Sequence, residues 1–263
     1  MRIGAVVSRK DDFNSSMDKD DVLNKILMLL VKALYEQVEV IVFPGLLGCF
    51  FKSDREYVES ILRLSIDFKS LIICPGSYFE TLNGKKYHSS CIIQNGRILL
   101  RQRQIYLSKW EKDEGFSRGE DAAFVNIHGF KTSLLISTDL FYPQVSRYIA
   151  MSGADLVLSP AAIREQKYCF NISPLWENVQ QNLFFGVESG FKGSYKNMNF
   201  NSLSIIHAPL EMTERENGIL EIERNNDCNL IVANLDNEKR KNAIKKFDVL
   251  SKLNIKLYED MLK

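Results

Sequence analysis

Ser137 stands at the position where this sequence is best arranged for chemistry. An apolar run at residues 134–136 ends at Ser137, and a helical pattern then begins at Pro143 and stops at Gly153. A second apolar run follows at residues 156–158. This pattern predicts a strand, a sharp turn, a helix and a second strand, the repeating unit of a sheet covered by helices. A side chain just past the carboxyl end of such a strand lies where α/β proteins usually place their chemistry.

The segment resembles the active-site region of the nitrilase (carbon-nitrogen hydrolase) superfamily. In that family the turn reads Cys-Tyr-Asp-x-Arg-Phe-Pro-Glu, and it is followed by a helix, Gly-Ala-Asp and an apolar strand that ends in Pro. The same frame is found here as Ser137-Thr138-Asp139-Leu140-Phe141-Tyr142-Pro143-Gln144, then Gly153-Ala154-Asp155, then Pro160. The Asp, the first Pro and the spacing match, whereas Ser137 replaces the family's nucleophilic Cys.

Two further positions extend the resemblance but lack the family's catalytic side chains. The strand predicted at residues 38–43 ends at Pro44-Gly45, where the family reads Pro-Glu and the Glu is the general base. Residues 103–107 align with the family's Arg-Lys-x-His-Leu, so Gln104 replaces the Lys that stabilises the oxyanion. Glu111 follows seven residues later, where the family often places a second active-site Glu.

The resemblance implies attack by a Cys thiolate on an amide or nitrile carbon, with a Glu that transfers protons and a Lys that stabilises the oxyanion. A Ser hydroxyl is far less acidic than a thiol and needs a strong, positioned base. Loss of a general base lowers rates about 10²–10⁴-fold, and loss of one oxyanion donor roughly 10²–10³-fold. With Gly45, Gln104 and Ser137 at the three positions, we expect a catalytically inactive homologue.

Three functions are compatible with such a chain. An inactive homologue would be a binding or regulatory protein for a small amide or carboxylate, or a non-catalytic subunit beside an active relative. The alternative is a hydrolase of non-peptide carbon-nitrogen bonds, of the amidase or nitrilase type, whose nucleophile is Ser137 or a displaced Cys such as Cys49 or Cys169. The third is a structural protein whose own side chains fill the pocket. An open cavity lined by Gly45, Gln104 and Ser137 would favour binding, and a filled one would favour the structural function.

The remaining pocket candidates are Asp139, Phe141 and Glu111. Asp139 is expected to hold the backbone of the turn rather than to act on Ser137. Phe141 replaces the family's Arg, so several charged positions have become neutral together, which avoids leaving a buried ion without its partner. Glu111 keeps its carboxyl without the family's Lys, and we expect that carboxyl to be protonated or turned to solvent.

The histidines and cysteines give no further catalytic signal. None of His88, His128 and His207 falls at a matched position, so structural or surface roles are expected for all three. The five cysteines are scattered without metal-ligand spacing, and no metal or cofactor is predicted.

The resemblance covers nearly the whole chain and implies one domain over residues 1–263, folded as the family's four-layer α-β-β-α sandwich. Amphipathic helices are predicted over residues 21–35 and 54–68, and a β-hairpin is predicted to turn at Asn95-Gly96. The family pattern also implies a helix within residues 172–190 whose far end carries Glu188.

The family also implies a homodimer, because its members usually pair through helices near the turn. Tyr142, Val145 and Tyr148 would then lie either in that interface or in the monomer core.

Composition argues against several other classes of protein. A net charge of +1 over 263 residues gives no sign of a surface for nucleic acid or membrane. No apolar stretch approaches the roughly 20 residues that span a bilayer, and Met1 leads directly into a strand without a signal-peptide pattern. The unpaired pattern of cysteines indicates reduced thiols, so a cytoplasmic location is expected.

Overall fold

Two β-sheets stack face to face, and α-helices cover the outer face of each. The computed structural model describes residues 1–10, 12–13, 17–164, 173–223, 229–247 and 249–261. Within these ranges the strands are, in chain order, β1 (Arg2–Val6), β2 (Val40–Val42), β3 (Ile72–Cys74), β4 (Ser77–Leu82), β5 (Lys85–Gln94), β6 (Arg97–Arg103), β7 (Val125–Ile127), β8 (Phe130–Leu134), β9 (Leu156–Ala161), β10 (Phe185–Gly190), β11 (Lys192–Tyr195), β12 (Met198–Asn201), β13 (Ile205–His207), β14 (Ile219–Ile222) and β15 (Leu230–Asn234). The helices are α1 (Lys19–Tyr35), α2 (Asp54–Asp67), α3 (Lys109–Asp113), α4 (Pro143–Met151), α5 (Pro174–Asn182), α6 (Asn237–Phe247) and α7 (Ile255–Met261).

The first sheet has the strand order β15-β1-β2-β3-β5-β4, with β6 paired to β5, and the second has the order β14-β13-β10-β9-β8-β7. Strands β1, β2 and β3 are parallel, and so are β8, β9 and β10 in the other sheet. Because parallel strands end at the same edge, the segments that follow β2, β8 and β9 are brought to one side of the molecule. A small hairpin of β11 and β12 stands apart from both sheets.

Alternating side chains on the central strands explain the four layers. Val40 and Val42 belong to the cluster between the two sheets, and Ile41 faces the cluster that includes α1 and α2. On the second sheet Leu156 points to the inter-sheet cluster, whereas Val157 packs with α4 and α5. These strands are buried on both faces, which is why they read as continuous apolar runs rather than as alternating ones. The predicted α-β-β-α sandwich is confirmed.

Most predicted elements are present, with one correction. Helices α1, α2 and α4 and the hairpin of β5 and β6 lie where the sequence places them. The helix implied within residues 172–190 ends early, because Leu183 adopts a left-handed conformation at φ +56° that terminates α5. Glu188 therefore lies on the central strand β10 and not at the end of a helix.

The helix that follows the turn has a buried and an exposed face. Val145 is part of the core, whereas Tyr148 is 56% exposed. Of the residues considered for an interface, Val145 therefore stabilises the monomer. None of the described helices is both long and apolar enough to cross a membrane.

Gly190 allows the close approach on which the end of β10 depends, and replacing it tests this packing. A Cβ at Gly190 would lie 2.4 Å from the backbone of Ser202 and 2.5 Å from the carbonyl oxygen of Leu203. Backbone atoms cannot move aside as a flexible side chain can, so we expect Gly190→Ala to lower the free energy of unfolding by about 3 kcal/mol. Urea denaturation measures this change.

Gly4→Ala is the matched control, because Gly4 is also a buried strand glycine. Its added Cβ would meet side-chain atoms rather than backbone, namely the end of Leu230 at 3.1 Å and the methyl groups of Val38 at 3.4 Å. The expected change is within about 1 kcal/mol. Equal losses in the two variants would contradict the prediction.

Candidate functional site

The turn after β8 presents Ser137 in a strained backbone conformation. Ser137 has φ +47° and begins a 3₁₀ turn that extends to Phe141. Positive φ is uncommon for a residue with a side chain, and such strain is often kept where a fold must present one side chain. The Ser137 hydroxyl is nearly buried and accepts a hydrogen bond from the backbone N–H of Ala162, at 3.1 Å. The sharp turn expected from the sequence is confirmed.

Gly45 approaches the same segment from the other sheet. Its backbone N–H donates to the carbonyl oxygen of Ala161, at 3.2 Å. A Cβ on Gly45 would lie only 3.0 Å from the Ala161 carbonyl and from the Cβ of Ala162. Ala161 and Ala162 thus lie between Gly45 and Ser137, and they occupy the space into which a side chain at position 45 would have to extend.

Gln104 lies beside the turn, as the resemblance implies for the family's Lys. Its side chain is buried, and its Nε2 is 2.5 Å from Oγ1 of Thr138, 2.8 Å from the carbonyl oxygen of Tyr106 and 2.9 Å from Oε2 of Glu111. Its Oε1 has no hydrogen-bond partner among the described residues. The amide is therefore a neutral donor whose hydrogens are shared among protein acceptors.

Glu111 is buried on α3, and the expectation that it would be neutral or turned to solvent is wrong. One oxygen lies 2.7 Å from Nδ1 of His88, and the other accepts hydrogen bonds from the backbone N–H of Ser108, at 2.7 Å, and from Gln104. Burial raises the pKa of the Glu111 carboxyl, but the hydrogen bond and charge of His88, together with Ser108, hold that pKa below its usual value. His88 is therefore the ionisable partner of Glu111 at this site.

His88 is the site residue that sequence reasoning missed. It is buried on β5, with Nδ1 facing Glu111 and Nε2 at 2.7 Å from the hydroxyl of Ser77, which also accepts the backbone N–H of Leu46, at 2.8 Å. Hydrogen bonds join Ser77 to His88 and His88 to Glu111, which is the arrangement of a Ser-His-acid triad. Ser77 has no exposed surface, however. The only signal in the sequence was the polar run of residues 88–90 within a strand.

Asp139 holds the turn, as expected. One oxygen accepts the backbone N–H groups of Ile105, at 3.0 Å, and Tyr106, at 2.7 Å, and the other accepts that of Ile136, at 3.2 Å. Burial raises the pKa of Asp139 to about 7, against the lowering effect of these three backbone hydrogen bonds. Asp139 ties the segment after β6 to the turn that carries Ser137.

The candidate cysteines do not supply a nucleophile at this site within the described residues. Cys49 is partly buried in the cluster under α1 and α2. Burial raises the pKa of the Cys49 thiol well above its usual value, against the weaker effects of Tyr195 and Lys196. Because the thiolate is the reactive form, Cys49 is a packing residue. Cys169 lies outside the described residues.

A cavity of about 240 Å³ opens beside the turn. His88, Glu111, Ser137 and Thr138 form its polar part. Apolar and aromatic side chains line the rest, namely Leu46, Trp110, Phe141, Ala162, Ile163, Tyr195, Met198 and Phe200. Ser108, Lys109 and Arg164 complete the lining, which includes neither Gly45 nor Gln104. In the part of the chain that is described, no group of three His, Cys, Asp or Glu side chains is placed to hold a metal ion.

The family model for carbon-nitrogen hydrolases matches residues 7–185. The chain therefore belongs to the carbon-nitrogen hydrolase family. A nitrilase of Pyrococcus abyssi is 28% identical over 232 residues, which cover 79% of this chain and 85% of that protein. A glutamine-dependent NAD(+) synthetase of Aquifex aeolicus is 25% identical over 166 residues, which cover 61% of this chain but only 29% of that protein.

Solved structures show the same fold. An amidase of Nesterenkonia from the nitrilase superfamily superposes with a TM-score of 0.80 at 17% identity, covering 99% of this chain and 97% of that chain. A carbon-nitrogen hydrolase of Helicobacter pylori superposes with a TM-score of 0.81 at 16% identity, covering 100% and 98%. At such low identity these superpositions support the architecture alone.

The His88–Glu111 pair is expected to stabilise the protein through mutual compensation. His88→Ala leaves a buried carboxylate without its partner and should cost about 3 kcal/mol of unfolding free energy. In the double variant with Glu111→Gln the cost should fall below the sum of the single costs, with a coupling free energy of about 2 kcal/mol. Urea denaturation at pH 7 measures all three variants.

The pH dependence gives the same pair a second readout. Because the folded-state pKa of Glu111 lies below its usual 4.5, its contribution to stability is complete above that pH and is lost as the pH falls through the folded-state value. Glu111→Gln should remove the part of the loss of unfolding free energy at acid pH that this carboxyl causes.

The exposed Arg55–Glu59 pair on α2, at 2.8 Å, is the control for the coupling measurement, and its coupling free energy should be close to zero. Equal coupling free energies in the His88–Glu111 and Arg55–Glu59 pairs would contradict the prediction.

Proposed function

We propose that this chain is a catalytically silent member of the carbon-nitrogen hydrolase family that binds a small organic molecule in the cavity beside Ser137. The observation that carries the proposal is the state of the three catalytic positions. Gly45 packs directly against Ala161, which leaves little space for a side chain at position 45. The amide of Gln104 donates to acceptors of the protein, and the Ser137 hydroxyl accepts a hydrogen bond from a backbone N–H. Each position is occupied by a contact within the protein rather than directed at a substrate.

Activation of Ser137 would need an acceptor for its proton. Among the described residues, the hydrogen-bond partner of its oxygen is the N–H of Ala162, which is a donor. The ionisable groups of the cavity, His88 and Glu111, satisfy each other, because both imidazole nitrogens and both carboxylate oxygens already have partners. Proton transfer to a substrate would therefore require these hydrogen bonds to break first, which argues against general acid–base catalysis.

The open cavity supports binding over the structural function, although Ser137 lines it and the other two expected residues, Gly45 and Gln104, do not. An apolar cavity of about 150 Å³ is large enough to hold benzene. The cavity here measures about 240 Å³ and combines aromatic walls with a few polar groups, which is the usual composition of a small-molecule site. A role as regulatory protein or as non-catalytic subunit is compatible with such a site.

Ammonia release from a panel of aliphatic and aromatic amides and nitriles tests the proposed lack of catalytic activity. We expect the protein to release no more ammonia than buffer does, and Ser137→Ala to change nothing. An active amidase of the family, assayed in parallel, shows that the panel is adequate. Ammonia release by the unmodified protein that disappears in Ser137→Ala would overturn the proposal in favour of a hydrolase with Ser137 as nucleophile.

A second candidate function rests on Ser77. The distances of 2.7 Å from Ser77 to His88 and from His88 to Glu111 match those of a serine hydrolase. In such an enzyme Oγ of Ser77 would attack an ester or amide carbonyl, Nε2 of His88 would take the hydroxyl proton, and Glu111 would orient the imidazole. Ser77 is fully enclosed and does not line the cavity, so a substrate would reach it only after the residues around it moved.

A fluorophosphonate probe, read by intact-protein mass spectrometry, distinguishes the two functions. The binding function predicts no adduct on the folded protein, because neither Ser77 nor Ser137 is activated and accessible. An adduct that is lost in Ser77→Ala but retained in Ser137→Ala would establish the second candidate instead.

A further inference from the structure

We infer that the ligand of this cavity is a small carboxylate with a ring-sized apolar body, and that the cavity binds the acid in preference to the corresponding amide. This inference rests on the proposed binding function, and it names the class of ligand. It follows from three observations: which charges of the lining are compensated, which polar atoms are already used, and how large the apolar part is.

The acidic side chain of the lining has a charged or hydrogen-bonded partner in the protein, whereas its two basic side chains form no ion pair with any described residue. Glu111 is paired with His88 at 2.7 Å and also accepts hydrogen bonds from Gln104 and Ser108. Lys109 and Arg164 line the same cavity, are exposed, and form no ion pair with any described residue. The side chains of the lining therefore carry a net positive charge in either protonation state of His88, which attracts an anion.

Two charged groups next to the lining, the Lys196–Glu114 pair and Asp139, do not change this balance. Lys196 lies over the rings of Trp110 and Tyr195, at 5.7 and 5.9 Å, and is paired with Glu114, at 3.3 Å. The cation and carboxylate of that pair offset each other beside the cavity. Asp139 is buried behind the turn, where backbone N–H groups occupy both of its oxygens.

The polar atoms of the cavity suit a carboxylate better than an amide. An amide has an NH₂ group that needs acceptors, yet Glu111 already accepts from three groups and the Ser137 oxygen has one of its two acceptor sites filled by Ala162. A carboxylate only accepts hydrogen bonds, and an ammonium or guanidinium group is its strongest donor. Leaving the amide donors unpaired would cost affinity, since polar groups without partners lose the hydrogen bonds that they made with water.

The size and composition of the cavity indicate the rest of the ligand. Trp110, Phe141, Tyr195 and Phe200 supply aromatic walls around a volume of about 240 Å³. Because an apolar cavity of about 150 Å³ holds benzene, a ring with one carboxylate is a suitable occupant. The ring would lie against the aromatic walls and the carboxylate would face Lys109 and Arg164.

The pair 4-fluorobenzoate and 4-fluorobenzamide tests this inference, because the two molecules have nearly the same shape and differ in charge. Fluorine NMR of each probe, titrated with the full-length protein, measures both affinities. We expect the acid to bind at least about tenfold more tightly than the amide, as charge-assisted hydrogen bonds are about twice as strong as neutral ones. Added salt should weaken binding of the acid and leave that of the amide unchanged.

Variants assign the effect to the two cations. Lys109→Gln and Arg164→Gln should each weaken binding of the acid by about fivefold, the effect of one partly exposed ion pair, and leave binding of the amide unchanged. Lys112→Gln is the matched control, because Lys112 is exposed on the same helix as Lys109 but does not line the cavity. It should bind the acid as the unmodified protein does.

Several results would overturn the inference: equal affinity for acid and amide, no binding of either probe, or an acid affinity insensitive to both Lys109→Gln and Arg164→Gln. If the protein is catalytically active after all, the same experiment gives a different result. Conversion of the amide probe into the acid gives a new fluorine signal in the same sample, and this would refute silence while leaving the affinity for the acid to be judged by its own titration.

Discussion

A buried carboxylate must be compensated, and the arrangement of this site depends on how Glu111 is compensated. An unpaired charge in the interior costs several kcal/mol, so a carboxylate that stays buried has to find donors. Here His88, Gln104 and Ser108 supply them. Through these contacts α3 is tied to β5, to the segment after β6 and, by way of Gln104 and Thr138, to the turn that carries Ser137. One compensated charge thus joins the elements that surround the cavity.

The architecture of the family is present in this chain, and the positions that the resemblance assigns to catalysis carry Gly45, Gln104 and Ser137. Parallel strands bring Ser137 and Ala161 to one edge of the second sheet, where Gly45 of the first sheet donates a hydrogen bond to Ala161. Asp139 holds the turn through three backbone hydrogen bonds. None of these contacts involves a nucleophile or a base. Fold and chemistry can therefore change separately, because the fold depends on burial and backbone hydrogen bonds and the chemistry depends on a few side chains.

The residues at the positions that the resemblance assigns to catalysis are physically consistent with one another. With Gly45 at the position implied for the base, the end of β9 can pack close to the loop that follows β2. With a neutral amide at position 104, the charge of Glu111 requires another cation or donor, and His88 provides it. The cavity beside the turn has aromatic walls, and the basic side chains of its lining form no ion pair with any described residue. This composition supports the proposed binding function.

The sequence by itself determined the layers and the position of the turn. Apolar runs, the helix start at Pro143 and the Asn95-Gly96 turn depend on neighbours within one element, and such local patterns can be read directly. The resemblance placed Gly45, Gln104, Glu111 and Ser137 around one pocket. Glu111 and Ser137 line the cavity, whereas Gln104 contacts Glu111 and Thr138 behind the lining and Gly45 packs against Ala161. Only the tertiary structure decided that His88 pairs with Glu111 and that Ala161 closes the space at Gly45. Both contacts join residues far apart in the chain, 23 positions in the first case, and no local periodicity specifies which distant side chains will meet once the sheets pack.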